Sequence, residues 1–132
     1  MKRYFTLFVF WVFCNSILIA QNSADEVFQQ IESAIKKGDA AALSTHFNSM
    51  LDLTILDKEQ TYSSSHAMYV MKEFFMNYPV RSFSILHKGN SGDNVYAVGS
   101  YISTKGVFDT NIFIKKYGNT YKINQLRFEP DK

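Results

Sequence analysis

The strongest constraint on the fold is a run of three long strand-like segments at the end of the chain. They cover residues 95–103, 107–117 and 121–129, and each is rich in β-branched and aromatic residues. Lys105-Gly106 and Gly118-Asn119 separate them. Because short glycine-containing turns join neighbouring antiparallel strands, this part of the chain is predicted to form an antiparallel sheet.

The beginning of the mature region carries a helical pattern. Apolar residues recur over residues 27–35 at the spacing of one helix face. Ser23 or Asp25 can cap the start of this helix, and two lysines followed by Gly38 are typical of its end. A second short helix is predicted over residues 40–47.

Two short β segments are predicted next. Leu51, Leu53 and Ile55 alternate with polar residues, as in a strand that is buried on one side. Residues 57–60 have the composition of a turn, and Thr61-Tyr62 can begin a short paired segment.

The stretch SSSHAMYVMKEFFMNYP, residues 63–79, is predicted to form a third helix. Its serines can cap the first N–H groups, and Pro79 ends the helix. Its methionines recur at helical spacing, which favours core packing over metal binding. The predicted buried stripe comprises Ala67, Met71, Phe74, Phe75 and Tyr78.

A strand over residues 83–87 and a loop over residues 89–93 complete the pattern. The predicted order is therefore α-α-β-β-α-β-β-β-β. Helices followed by consecutive antiparallel strands are typical of an α+β domain. We find neither a repeat nor a low-complexity linker, so the sequence predicts one domain over residues 21–132.

Residues 1–20 have the pattern of an export signal. Lys2 and Arg3 precede an apolar run over residues 4–13. This run is well short of the roughly 20 residues that span a bilayer as a helix. We predict cleavage after Ala20 and a periplasmic or secreted protein without an integral membrane segment. The sole cysteine, Cys14, lies in the signal, so the mature domain is predicted to lack disulfides and thiol nucleophiles.

Loss of the signal also removes the apparent basicity of the chain. The sequence has 14 Lys and Arg residues and 12 Asp and Glu residues, and Lys2 and Arg3 account for the difference. Nucleic-acid-binding domains concentrate positive charge on one face. Nucleic acid is therefore not an expected partner.

The last strands carry apolar residues on both faces. In the segment 107–117, Phe108 and Ile112 lie on one face, whereas Val107 and Phe113 lie on the other. One face can cover the helices, and the second needs a cover of its own. A homodimer through this outer face of the sheet is the hypothesis that follows.

Short motifs spread over residues 62–128 point to a known family. They are Tyr62-Ser63, Ala67, Phe74-Phe75, FSILHKG at 83–89, YAVG at 96–99, Gly106 and INQLRF at 123–128. With them the chain resembles a family of exported bacterial proteins of unknown function that have the nuclear-transport-factor-2-like (cystatin-like) fold. The resemblance implies a cone in which helices pack on a curved, mostly antiparallel sheet.

The resemblance leaves the activity open. The wider fold includes ketosteroid isomerase-like and polyketide cyclase-like enzymes as well as non-catalytic binding modules, so the fold does not choose a function. Two positions depart from the family pattern. His66 stands where a glutamine-like residue is expected, and Asp109 stands where a basic residue is common.

Metal and nucleophile chemistry find little support in the sequence. His46, His66 and His87 are about 20 residues apart and form no short ligand motif. No Gly-x-Ser-x-Gly elbow surrounds the serines before the third helix, so capping is their expected role. We expect no metal, no cofactor and no assigned catalytic residue.

The hypothesis for the function is a non-catalytic module that binds a small apolar ligand or a partner. The alternative is an isomerase- or cyclase-type enzyme that uses Asp109 or Asp52 as acid and base. A third interpretation is a structural envelope protein acting through its exposed sheet, and ligand identity and subunit number stay open. The residues expected to line a pocket are Tyr62, His66, Met71, Phe75, Tyr101, Phe108 and Asp109.

Overall fold

The computed structural model describes residues 23–131. The predicted export signal over residues 1–20, with Cys14, lies outside the described residues. The elements are α1 (Ala24–Lys36), α2 (Ala40–Ser44), β1 (Phe47–Ile55), β2 (Lys58–Ser63), α3 (Ser64–Asn77), β3 (Val80–Ser91), β4 (Asn94–Ser103), β5 (Gly106–Tyr117) and β6 (Thr120–Pro130). Their order is the predicted one.

Helix α1 forms where the apolar stripe predicted it. Ser23 is the N-cap, and its hydroxyl accepts a hydrogen bond from the backbone N–H of Glu26 at 3.2 Å. Gly38 follows the helix with φ 61°, a conformation that glycine adopts without strain. The buried residues of α1 are Val27, Phe28, Ile31, Ala34 and Ile35.

Helix α2 is shorter than predicted. It ends at Ser44 rather than near residue 47, because the chain enters the sheet at this point. The carbonyl of His46 accepts a hydrogen bond of 2.7 Å from the N–H of Ile123 in β6. Phe47 then begins β1, so sheet pairing overrides the helical propensity of this segment.

The six strands form one sheet in the order β2-β1-β6-β5-β4-β3. β1 pairs with β6 in parallel, and the other neighbours are antiparallel. The helices pack on one face of the sheet, which confirms the α+β expectation.

Two predicted turns are shorter in the structure. Only Leu56 and Asp57 connect β1 to β2, and residues 58–60, predicted as a turn, are paired with β1. Residues 89–91 likewise belong to β3, and the turn before β4 is Gly92-Asp93. In both cases cross-strand pairing continues to a two-residue turn, as is common in hairpins.

Gly89 shows why turn composition misled the prediction. The ring of Tyr96 on the paired strand β4 covers its Cα, and a Cβ at position 89 would lie 2.5 Å from the Tyr96 hydroxyl oxygen. The glycine thus permits close approach of an aromatic side chain inside a strand.

Helix α1 is tied to β3, one of the two edge strands of the sheet. The Glu32 carboxylate accepts a hydrogen bond of 3.2 Å from the N–H of Ile85, beside the β-bulge between Ile85 and His87. Lys88 lies 3.3 Å from the Asp25 carboxylate and 5.7 Å above the ring of Phe28. These contacts hold α1 against the sheet.

Candidate functional site

The interior between α3 and the sheet is filled by aromatic rings. Phe74 lies at the centre, with ring centroids of Tyr78, Tyr101, Phe108 and Phe128 between 4.8 and 5.5 Å away. Such aromatic pairs stabilise a core beyond their area burial. Apolar groups of α3 and of three strands therefore meet in a packed core.

Four of the residues expected to line a pocket belong to this core. Met71 and Tyr101 are fully buried, and Phe75 and Phe108 are nearly so. The hydroxyl of Tyr101 donates a hydrogen bond of 2.6 Å to the carbonyl of Tyr78 at the end of α3. Burial raises the pKa of Tyr101 above its ordinary value, because the charged phenolate would lose its hydration.

Open space lies beside this core, in a groove of about 370 Å³ between α3 and the hairpin of β1 and β2. We call it the α3 groove. Buried Leu53, Tyr62 and Phe74 contribute its apolar floor. Four polar residues also line it: Asp57, Lys58, Glu73 and Asn77.

The polar residues of the α3 groove are accessible to solvent. Lys58 comes from the hairpin, as does Asp57, whereas Glu73 comes from α3. Within residues 23–131, none of these three side chains takes part in an ion pair. Their charges are thus available to a bound molecule.

The end of the groove contains a strained residue. Leu56 has φ 60°, the left-handed region that disfavours residues with a Cβ by roughly 1–2 kcal/mol. Its N–H donates a hydrogen bond of 2.8 Å to the carbonyl of Phe128, and its partly buried side chain packs on the core. This conformation places an apolar side chain where a turn normally carries glycine or asparagine.

Tyr62 is the expected pocket residue that lines the α3 groove. Its hydroxyl donates a hydrogen bond of 3.2 Å to Gln60 Oε1. The exposed ring of His66 contacts the Tyr62 ring edge-on, with centroids 4.8 Å apart, and does not line the groove. His66 follows the N-cap Ser63, whose hydroxyl accepts a hydrogen bond from the His66 N–H.

The two candidate aspartates lie on the other side of the sheet. Asp109 is exposed, between the buried Phe108 and Thr110 of β5. Asp52 is exposed on β1 and accepts a hydrogen bond of 2.6 Å from Thr61. The structure thus does not bring either carboxylate to the α3 groove.

The sequence interpretation missed most of the groove. Leu53 was expected as a strand residue and Asp57-Lys58 as part of a turn, without a role in a site. One available signal was the spacing of Val70, Glu73 and Asn77, which repeats at i, i+3 and i+7 beside the buried stripe of α3. Such a second stripe marks a helix flank that faces a neighbouring element.

The three histidines are dispersed. His46 precedes β1, His66 begins α3, and His87 lies on β3. Burial, and secondarily the charge of Lys122, lower the pKa of His46. In the part of the chain that the structure describes, no group of three or more His, Cys, Asp or Glu residues could hold a metal ion.

Over residues 23–131, no helix has the length and apolar character needed to cross a membrane.

Known proteins resemble the chain over most of its described length. Residues 28–129 match the model of a family described as a domain of unknown function, DUF4783. No curated protein matches the sequence.

Solved structures share the fold. A DUF4783 family protein from Bacteroides uniformis is 28% identical with a TM-score of 0.75, covering 79% of this chain and 96% of its own. One from Bacteroides ovatus is 27% identical with a TM-score of 0.74, covering 78% and 94%. An NTF2-like protein of unknown function from Cytophaga hutchinsonii has 10% identity and a TM-score of 0.63, covering 86% and 95%. The expected nuclear-transport-factor-2-like fold is confirmed.

Proposed function

Because the chain belongs to the DUF4783 family, whose description names no activity, we propose a function from geometry. The α3 groove is a non-catalytic site for a small amphipathic ligand with an apolar body and a cationic end. One observation carries this proposal: beside α3 the groove combines open volume, an apolar floor and charged residues, whereas aromatic rings fill the interior between α3 and the sheet. The proposal keeps the expectation of an exported, periplasmic or secreted module.

The size and lining of the groove support a small ligand. Ligand sites typically have volumes of roughly 300–1,000 Å³, with apolar walls and a few polar groups that fix orientation. At about 370 Å³ the groove is at the small end of this range. A single ring with a short chain suits it better than a steroid-sized molecule.

The charge on the groove supports a cationic end. Asp57 and Glu73 carry two carboxylates, and Lys58 carries one ammonium group. An amine placed between the carboxylates would gain charge-assisted hydrogen bonds while its apolar body covers the floor. A carboxylate ligand would have Lys58 alone as its cationic partner among these residues.

The solvent access of the groove carboxylates supports binding without catalysis. Isomerase-type chemistry uses a carboxyl group desolvated in an apolar cavity. Asp57 and Glu73 are open to solvent, and the candidates Asp52 and Asp109 lie on the outer face of the sheet. We therefore propose no acid–base role for these residues.

The test uses two probes with the same body and opposite charges, 4-phenylbutylamine and 4-phenylbutyrate. Amide shifts of ¹⁵N-labelled protein during titration should move for Leu53, Val70 and Glu73, and the amine should bind more tightly. Glu73→Gln should weaken binding of the amine about threefold to tenfold, since a charged hydrogen bond becomes a neutral one.

The matched control is Glu59→Gln, which makes the same change on exposed Glu59 of β2, outside the groove lining. It should leave the affinity unchanged. Equal binding of both probes, or equal effects of the two substitutions, would contradict the cationic preference. Shifts confined to other surfaces would refute the groove as the site.

A further inference from the structure

The outer face of β5 and β6 carries paired like charges. Asp109 lies directly opposite Glu129, and Lys115 lies directly opposite Lys122. All four alternate with residues that are buried against the helices, so they lie on the face away from the helices and from the α3 groove. Like charges directly opposite each other destabilise a sheet, so each pair opposes folding of the isolated chain.

The two pairs are too far apart to neutralise each other within one molecule. Asp109 and Lys115 are separated by roughly 20 Å along β5 at the usual rise of a strand. Local contacts of the opposing residues, Glu129 and Lys122, offset the repulsion within each pair only in part. Arg127 Nε lies 3.3 Å from Glu129, in a partly exposed pair of the kind that contributes little, and Lys122 donates a hydrogen bond of 2.9 Å to the carbonyl of Thr45.

Apolar side chains lie between and beside the charged pairs. Phe113 is partly exposed on the outer face, with the ring of Tyr96 6.0 Å away, and Val98 follows on β4. Ile102 and Val107 are 40% and 38% exposed on the same face. Between the charged pairs, the other outer-face residues of β5 and β6 are polar: Asn111, Gln125 and Arg127. A face of this kind, with charge of opposite sign at its two ends, is self-complementary.

We propose that the outer face of β4, β5 and β6 packs on the same face of a second copy of this chain, with the strands of the two copies antiparallel. A two-fold axis perpendicular to the strands, passing between Asn111 and Phe113 of β5, places β5 on β5 and β6 on β6. Lys115 of each copy then faces Asp109 of the other, and Lys122 faces Glu129. An axis parallel to the strands would place like charges together, so the charges select the antiparallel arrangement.

This dimer is independent of ligand binding, since the α3 groove opens on the helix side of the sheet. The purified protein should sediment as a concentration-dependent dimer. Dissociation should increase with salt, because the facing charges are screened.

A charge exchange tests the orientation. Lys115→Glu and Asp109→Lys should each weaken the dimer by about tenfold or more, since two-fold symmetry repeats every lost contact. The double variant, with both changes, should recover the wild-type affinity. Lys116→Glu is the matched control, because exposed Lys116 neighbours Lys115 but points to the opposite face.

Loss of folding cannot explain the expected weakening. Each single substitution replaces a like-charge pair by an opposite-charge pair inside one chain, so thermal unfolding under monomeric conditions should be unchanged or occur at a higher temperature. A monomer at every concentration would overturn the proposal. A dimer that is unaffected by either single variant, or not recovered in the double variant, would overturn it equally.

Discussion

Two neighbouring stripes of α3 have opposite surroundings. The stripe of Met71, Phe74 and Phe75 is buried among aromatic rings of the sheet. The stripe of Val70, Glu73 and Asn77 faces an open groove whose floor is apolar and whose polar residues are accessible to solvent. One helix therefore separates a packed interior from an available surface.

The difference between the two stripes shows on which side of α3 a ligand has space to bind. In the buried stripe, each ring fills the space that a ligand would need, and removing a ring leaves a cavity. In the groove stripe, the exposed side chains of Glu73 and Asn77 can change without disturbing the packing. Substitutions at adjacent residues of α3 should thus separate stability from binding.

The largest effect is expected for Phe74→Ala. Phe74 has four aromatic ring centroids within 5.5 Å, and truncation of a buried phenylalanine costs about 3–5 kcal/mol through lost burial and a residual cavity. Urea denaturation followed by circular dichroism measures the free energy of unfolding. A loss below about 1 kcal/mol would show that the interior is not a packed core.

A smaller, pH-dependent effect is expected for Tyr101→Phe. Near neutral pH the variant should lose about 1 kcal/mol, since the carbonyl of Tyr78 loses its hydrogen bond. The pKa of Tyr101 is raised in the folded state, so the unfolded chain releases this proton first as the pH rises. The contribution of Tyr101 to the free energy of unfolding is therefore fully present below about pH 10, the ordinary pKa of tyrosine. Above that pH the contribution decreases.

The measurement is unfolding of both proteins from pH 8 to 11. The disadvantage of Tyr101→Phe should shrink above about pH 10, by up to roughly 1.4 kcal/mol per pH unit. A constant difference over this range would argue against a buried, protonated Tyr101.

The smallest effect on stability is expected for Glu73→Gln. Glu73 precedes Phe74 in the chain but is exposed, so the free energy of unfolding should change by less than about 0.5 kcal/mol. The same denaturation experiment serves, with Phe74→Ala as the sensitive reference. A large loss here would show that the groove stripe belongs to the core.

The fold was largely predictable because its signals are local. The stripe from Val27 to Ile35 depends on residues within one helix and is as expected, and the cap is Ser23, one of the two predicted candidates. The prediction was wrong for residues 58–60 and 89–91, which have turn-like composition but are held in strands by cross-strand partners.

The candidate site was less predictable, because it depends on contacts between distant segments. Tyr62 was named for a pocket and lines the groove, but Leu53 and Glu73 meet there only after β1, β2 and α3 assemble. The residues Met71, Phe75, Tyr101 and Phe108 have the same composition as a ligand pocket. Only the burial of these side chains and the distances between the aromatic rings distinguish a filled interior from a cavity.

The most direct test of the proposed binding site is to locate bound 4-phenylbutylamine on the protein. Intermolecular nuclear Overhauser contacts should join the ring of 4-phenylbutylamine to the methyl groups of Leu53 and Val70. Contacts instead to the methyl group of Met71 or to the ring of Tyr101 would place the probe inside the cone and contradict the account.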